Sequence, residues 1–328
     1  MLSGALLLGA AVLPVLPTAP SAAAAGLSSL ATADDGASVT GQSTVDSRMV
    51  DVQVSSPALG FTAPVRLILP KDYAAEPTAT WPVLYLLDGC CDAQDYKSWT
   101  AYTNVESFMA DKDVLVVLPS DGAAGLYSDW WNFGLSAKPG WETFHTVELE
   151  QLLQRDYRAG TVQAVAGISI GGYGAMAYAA RHPGLFRAAA SYSGVLDTVL
   201  PVITQVVQGI LVREQLDPLA LWGDVFAQLG LWSAHNPFDL ATALRGTTLF
   251  VSSGNGSPGP LDAAGASGDA LESAALVASQ AFTAKLALLG VPVTTDYYGN
   301  GTHSWPYWQR EFEDSWPMLA TALGVPAT

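Results

Sequence analysis

The sequence predicts an α/β fold: a mostly parallel central sheet with helices on both faces and a helical insertion near 198–245. Two patterns predict it. From Val50 onward, short apolar runs rich in β-branched residues alternate with longer stretches of helix length. Most of the short runs are apolar on nearly every residue, which marks strands covered on both faces by the helices that follow them. With 328 residues, half of them hydrophobic, the chain has ample material for one large core.

In order, the expected strands are 65–69, 83–87, 114–118, 162–166, 188–192, 248–252 and 293–297. The runs 83–87 and 114–118 are unbroken apolar. Runs 65–69 and 162–166 each carry one polar residue, Arg66 and Gln163, and 188–192 opens on Ala188, Ala189 and Ala190. Val251, Val293, Thr294 and Thr295 supply β-branched side chains to the last two. Expected helices are 143–154, 173–180, 273–289 and 307–323. Residues 198–245 interrupt the alternation with a Leu-, Val- and Trp-rich segment, placed to cap a site. A single domain is expected over 50–325, after a flexible lead-in at 26–49 rich in Ser, Thr, Ala, Gly and Asp.

Before the lead-in, residues 5–13 are apolar, Pro14 and Pro17 interrupt the run, and a small-residue tract ends near Ala25. That pattern suits a secretory signal over 1–25, although no Lys or Arg follows Met1. The run is shorter than the ~20 residues that span a bilayer. A secreted or cell-envelope location is therefore expected.

Charge narrows the partners. The 14 Lys and Arg stand against 30 Asp and Glu, a formal charge of −16, and charged residues are 13% of the chain, against about 25% in ordinary soluble domains. No nucleic-acid or anionic-membrane footprint is present. Two cysteines are too few for a disulfide scaffold or a cysteine-based zinc site. No metal or cofactor motif occurs.

The sharpest chemical signal is Gly167-Ile168-Ser169-Ile170-Gly171-Gly172, which follows the 162–166 strand and precedes a helix. A G-x-S-x-G elbow needs that context: the turn is tight, small residues must flank it, and the Ser hydroxyl is pushed out above the sheet at a helix N-terminus. Ser169 is thus the expected nucleophile of an α/β-hydrolase fold. A serine needs a base. Of the four histidines, His145 lies before the elbow strand, His182 ends the elbow helix as a cap, and His235 lies in the insertion. His303, in the loop before the final helix, fits the chain order Ser, acid, His. The orienting acid falls between them, with Asp262, Asp269 and Glu272 as candidates; Asp296 is too close to the histidine's own strand. The oxyanion donors expected are the backbone N–H groups of Ile170 and of Cys90, in the loop after 83–87. Asp88 is a polar ligand at the pocket mouth or a cap of that loop. Adjacent Cys90 and Cys91 are two thiols, a vicinal disulfide that rigidifies the loop, or part of an intermolecular bridge.

Over residues 50–325 the chain resembles the antigen 85 mycolyltransferases, within the esterase D-like branch of α/β-hydrolases. The matching pieces run in family order: Tyr85-Leu86-Leu87-Asp88-Gly89, Tyr127-Ser128-Asp129-Trp130-Trp131, the Ser169 elbow, and Ser193-Gly194-Val195-Leu196-Asp197. Leu221-Trp222-Gly223, His235-Asn236-Pro237, Gly254-Asn255-Gly256 and Gly301-Thr302-His303-Ser304-Trp305 complete them. The resemblance implies Ser169 as nucleophile, His303 as base and Cys90 and Ile170 as oxyanion donors. Its acid, a Glu after the Gly-Asn-Gly turn, falls on Glu272, with Asp262 as alternative. One departure is plain: the family's Leu-Arg pair after Asp-Gly, whose Arg helps bind trehalose, is Cys90-Cys91 here, which counts against trehalose and mycolate.

These readings together predict serine acyl transfer through an acyl-enzyme. The partners are an acyl ester donor and a hydroxyl acceptor (sugar, lipid alcohol or water), with Trp305, Trp99 and the insertion walling an apolar acyl site. A carboxylesterase with the same residues and a non-catalytic member of the fold are the alternatives.

Overall fold

The structure, a computed structural model, describes residues 30–327. The expected signal segment 1–25 lies outside them. In chain order the strands are β1 (Ser38–Thr44), β2 (Met49–Ser56), β3 (Phe61–Ile68), β4 (Trp81–Leu87), β5 (Leu115–Pro119), β6 (Ala159–Ile168), β7 (Ala188–Tyr192), β8 (Thr248–Ser252) and β9 (Thr294–Asp296). The helices are α1 (Ser98–Tyr102), α2 (Val105–Phe108), α3 (Trp141–Thr143), α4 (Leu149–Asp156), α5 (Ile170–Arg181), α6 (Pro201–Arg213), α7 (Leu229–Ala234), α8 (Pro237–Leu240), α9 (Ala270–Leu288) and α10 (Trp305–Leu323).

The strands form one sheet in the order β1-β2-β3-β5-β4-β6-β7-β8-β9. From β5 to β9 all pairs are parallel. The β1–β2, β2–β3 and β3–β5 pairs are antiparallel. All seven expected strands are present. The lead-in is a correction: β1 lies within 26–49, and Ala33 and Ala37 are buried against the core. The Ser- and Thr-rich composition hid β1 because only Val39 of its residues is buried; the strand is held by its ladder to β2, not by an apolar face.

Two cores lie on opposite faces of the sheet, and strand alternation assigns side chains to each. Val83, Tyr85 and Leu87 of β4 pack with α5 and α9 on one face, while Leu84 and Leu86 pack with Trp99, Phe312 and Trp316 on the other. Helix α5 is buried from Ile170 to Ala180, and its Gly and Ala residues let it lie close on the sheet. The insertion forms α6, α7 and α8. Its Trp222 and Trp232 meet edge to face, ring centroids 5.0 Å apart, and both are buried.

Register positions the site. Leu87 lies opposite Gly167, Ile168 opposite Tyr192, Tyr192 opposite Ser252 and Ser252 opposite Asp296. The carboxyl ends of β4, β6, β7, β8 and β9 thus form one row, and the loops leaving that row converge, as ligand-binding loops of open α/β sheets do.

Candidate active site

Ser169 stands between β6 and α5 with φ +51°, in the left-handed region that a non-glycine residue adopts only under local constraint. Its N–H donates to the Tyr192 carbonyl at 2.9 Å, tying the elbow to the end of β7. The glycines around it are required by contact. A Cβ on Gly171 would fall 2.3 Å from the Asp88 carbonyl oxygen, and one on Gly167 would fall 2.2 Å from that of Gly171. Strand, turn and helix close on themselves more tightly than any side chain allows.

His303, in the loop between β9 and α10, places Nε2 2.8 Å from Ser169 Oγ and Nδ1 2.7 Å from Glu272 Oε2. The carboxylate accepts the Nδ1 proton, which leaves Nε2 free to accept from the Ser169 hydroxyl. Trp308 meets the imidazole edge to face with ring centroids 4.9 Å apart. Glu272, fully buried in the first turn of α9, has its charge answered by hydrogen bonds: Oε1 accepts from the Gly254 N–H at 2.6 Å and from the Ser193 and Ser253 hydroxyls at 2.9 Å each.

The other acid candidates take other positions. Asp269 caps α9, its Oδ1 accepting from the N–H groups of Leu271 and Glu272. Its Oδ2 accepts the His303 N–H at 3.1 Å, so one side chain joins the acid-bearing helix to the base-bearing loop. Asp262 accepts from the Thr302 hydroxyl, the Tyr307 hydroxyl and the Gly259 N–H, bracing the same loop without reaching the imidazole. Asp296 lies beside Glu311 and Asp314 instead.

None of the remaining histidines reaches Ser169. Buried His145 bonds the Tyr178 hydroxyl and the Ser120 carbonyl, and burial pulls its pKa down to about 4. His182 caps α5 and meets Glu142 Oε1 at 2.8 Å, and His235 stacks on Trp222.

A pocket of about 470 Å³ opens over Ser169 and His303, within the range of small-molecule sites. Asp88, Cys90, Cys91 and Trp305 line it, as does Arg213 from the end of α6. Ile170 is the first residue of α5, where an N–H has no intrahelical acceptor. Neither its N–H nor that of Cys90 donates to another group among the described residues. Cys90 and Cys91 are joined as a vicinal disulfide. Asp88 is buried, and that burial pushes its carboxyl up to about 7. Trp99 is a correction: it is fully buried beneath Trp305, ring centroids 5.6 Å apart, and supports the wall instead of forming it.

Sequence reasoning passed over Ser253 and Arg213, and it read Ser193 only as part of a matching motif. Ser193 and Ser253 were findable, since each is the first residue after a strand end in the functional row. Arg213 carried no signal; its Nε lies 3.3 Å from the neighbouring Glu214, an ordinary exposed helix end in the sequence.

A family model described as "Putative esterase" matches residues 56–319. The chain belongs to this esterase family. Among relatives of this esterase-family chain, the diacylglycerol acyltransferase/mycolyltransferase Ag85B of Mycobacterium intracellulare is 32% identical over 74% of the chain and 76% of that protein. Esterase Rv1288 of Mycobacterium tuberculosis is 30% identical over 75% of the chain, which spans 54% of that protein's length. Among solved structures, MPT51 (FbpC1) of Mycobacterium tuberculosis aligns with a TM-score of 0.69 at 27% identity, over 82% of this chain and 96% of that one. The esterase-family chain is therefore an α/β-hydrolase enzyme of the antigen 85-like branch.

Proposed function

We propose that the protein is an exported serine acyl-transfer enzyme working through an acyl-enzyme. The observation that carries this reading is the continuous chain Ser169 Oγ–His303 Nε2, 2.8 Å, and His303 Nδ1–Glu272 Oε2, 2.7 Å, at a strained elbow on the pocket floor. Ser169 Oγ attacks the ester carbonyl as His303 Nε2 takes its proton, and Glu272 holds the tautomer and stabilises the imidazolium. The N–H groups of Cys90 and Ile170 receive the tetrahedral oxyanion. Nε2 returns the proton to the departing alcohol. An acceptor hydroxyl then gives its proton to Nε2 and attacks the acyl-enzyme, and Nε2 passes that proton to Ser169 Oγ as it leaves.

Sugar or lipid alcohol as acceptor makes the enzyme a transferase; water makes it a carboxylesterase. The disulfide at the positions of the family's Leu-Arg pair favours the second outcome specifically. Incubation with an acyl ester and excess sugar or lipid alcohol separates them: transfer product rising with acceptor supports the transferase, and free acid alone at every acceptor concentration refutes it. A serine-reactive phosphonate should label wild type rapidly and Ser169→Ala not at all. Absence of labelling in wild type overturns the catalytic reading and leaves a binding member of the fold.

A further inference from the structure

The Cys90–Cys91 disulfide lines the same pocket as Ser169 and His303, yet the steps of acyl transfer give its sulfurs no task. Its place in the loop does. Up to Asp88 the backbone is pinned from both sides. The Leu87 carbonyl accepts from Trp99 Nε1 at 3.2 Å, the Asp88 carbonyl accepts from the Tyr127 hydroxyl at 2.9 Å, and Gly171 of α5 lies against both. At Asp95 the chain is tied again, its buried Oδ2 accepting from the Asp121 N–H at 2.6 Å.

Between those anchors, Cys90 and Cys91 make no backbone–backbone hydrogen bond among the described residues. Gly89 lies against the nucleophile, since a Cβ there would be 3.3 Å from Ser169 Cβ. The next N–H, that of Cys90, thus follows a residue in contact with Ser169 but is unsupported by any ladder. The disulfide supplies a restraint there. It closes an eight-membered ring around the Cys90–Cys91 peptide, which fixes ψ of Cys90 and φ of Cys91 and makes the two residues turn as one body. Cys91 sits at φ +116°, a conformation an unrestrained cysteine rarely adopts.

We propose that the Cys90–Cys91 disulfide positions the Cys90 N–H as an oxyanion donor, and that a dithiol reductant reaching this pocket lowers acyl transfer by releasing it. The inference rests on the acyl-transfer reading above. Access is open, because Cys90 is exposed at the pocket rim. The chain has no third cysteine to exchange with the pair. The chemistry balances. One thiolate of the dithiol attacks a cysteine sulfur, the second thiol displaces the mixed disulfide, both cysteines leave as thiols, and the reductant ends as its own disulfide.

The test uses the full chain treated with dithiothreitol under native conditions, with mass after alkylation counting the thiols. Two adducts should accompany a fall in kcat of at least tenfold with KM within twofold, since loss of one oxyanion donor costs ~10²–10³ and loosening it costs part of that. Phosphonate labelling should slow in parallel, and reoxidation should restore both. Cys91→Ala, which removes the bond but keeps Cys90, should match the reduced enzyme and ignore dithiothreitol, with a thermal midpoint still above the assay temperature. Unchanged kcat in enzyme carrying two adducts overturns the proposal, and so does a fully active Cys91→Ala. A failure of the active-site reading is distinguishable, because it appears, whatever the redox state, as no labelling of wild type or as labelling that persists in Ser169→Ala.

Discussion

Replacing Glu272 by glutamine keeps the size and shape of the side chain and removes its second acceptor oxygen. Which end of the amide faces the histidine is set by the donors around it. Oε1 accepts from the Gly254 N–H at 2.6 Å, the Ser193 and Ser253 hydroxyls at 2.9 Å and the Tyr298 hydroxyl at 3.4 Å. The Gly254 N–H can only donate, so an NH₂ group cannot occupy the Oε1 position without two donors colliding. The amide nitrogen is forced to the Oε2 position, 2.7 Å from His303 Nδ1. There it needs an acceptor, and the imidazole supplies one only by moving its proton to Nε2. Nε2–H then faces Ser169 Oγ and cannot take its proton. A wrong tautomer in an otherwise intact serine triad costs ~10⁴ in kcat, about 5.5 kcal/mol of barrier. The assay is kcat and KM on a chromogenic acyl ester, with a denaturation midpoint to confirm that Glu272→Gln folds. The expected result is a 10³–10⁵-fold fall in kcat with little change in KM. A variant that folds and keeps kcat within tenfold of wild type refutes the tautomer reasoning and the assignment of Glu272.

Two further outcomes follow from neighbouring carboxylates. Burial raises Asp88 from 3.8 to about 7, so the folded state holds a proton there that the unfolded chain has released. Between those values the native state binds more protons, and Asp88's contribution to stability falls as pH rises through that window, levelling off above it. The wild-type thermal midpoint should therefore drop from pH 5 to pH 8 more than that of Asp88→Asn, by an amount on the order of a few kcal/mol in stability; equal slopes would exclude Asp88 as the cause. Asp269→Ala should lose about 1–2 kcal/mol in a denaturant titration as α9 is uncapped. It should also lower kcat, because the His303 N–H loses its acceptor. Lost stability with unchanged kcat would confine Asp269 to capping.

Much of this was legible because local chemistry leaves local patterns. Strands buried on both faces are apolar on nearly every residue, so β4, β5 and β7 stood out, whereas β1, mostly exposed and Thr- and Ser-rich, did not. The elbow was legible for the same reason: Gly167 and Gly171 pass within 2.3 Å of where a Cβ would meet backbone oxygen, and only glycine fits. His303 followed from chain order among four histidines.

The orienting acid was not decided by spacing. Asp262, Asp269 and Glu272 all lie between β8 and β9, and the likeness to a family favoured Glu272. What distinguishes them in the fold is solvation. Glu272 alone is fully buried with its second oxygen satisfied by Ser193, which follows β7, and by Ser253 and Gly254, which follow β8, while Asp269 and Asp262 spend their oxygens on a helix cap and a loop brace. The cysteine pair shows the same division. The sequence by itself determined the sheet and its glycine elbow and pointed to Ser169 and His303 as the proposed nucleophile and base, because those rest on local pattern and chain order. Only the tertiary structure brought one of the candidate carboxylates, Glu272, to the His303 imidazole and joined the two cysteines, because burial and hydrogen-bond saturation are set by residues far apart in sequence that meet at one row of strand ends.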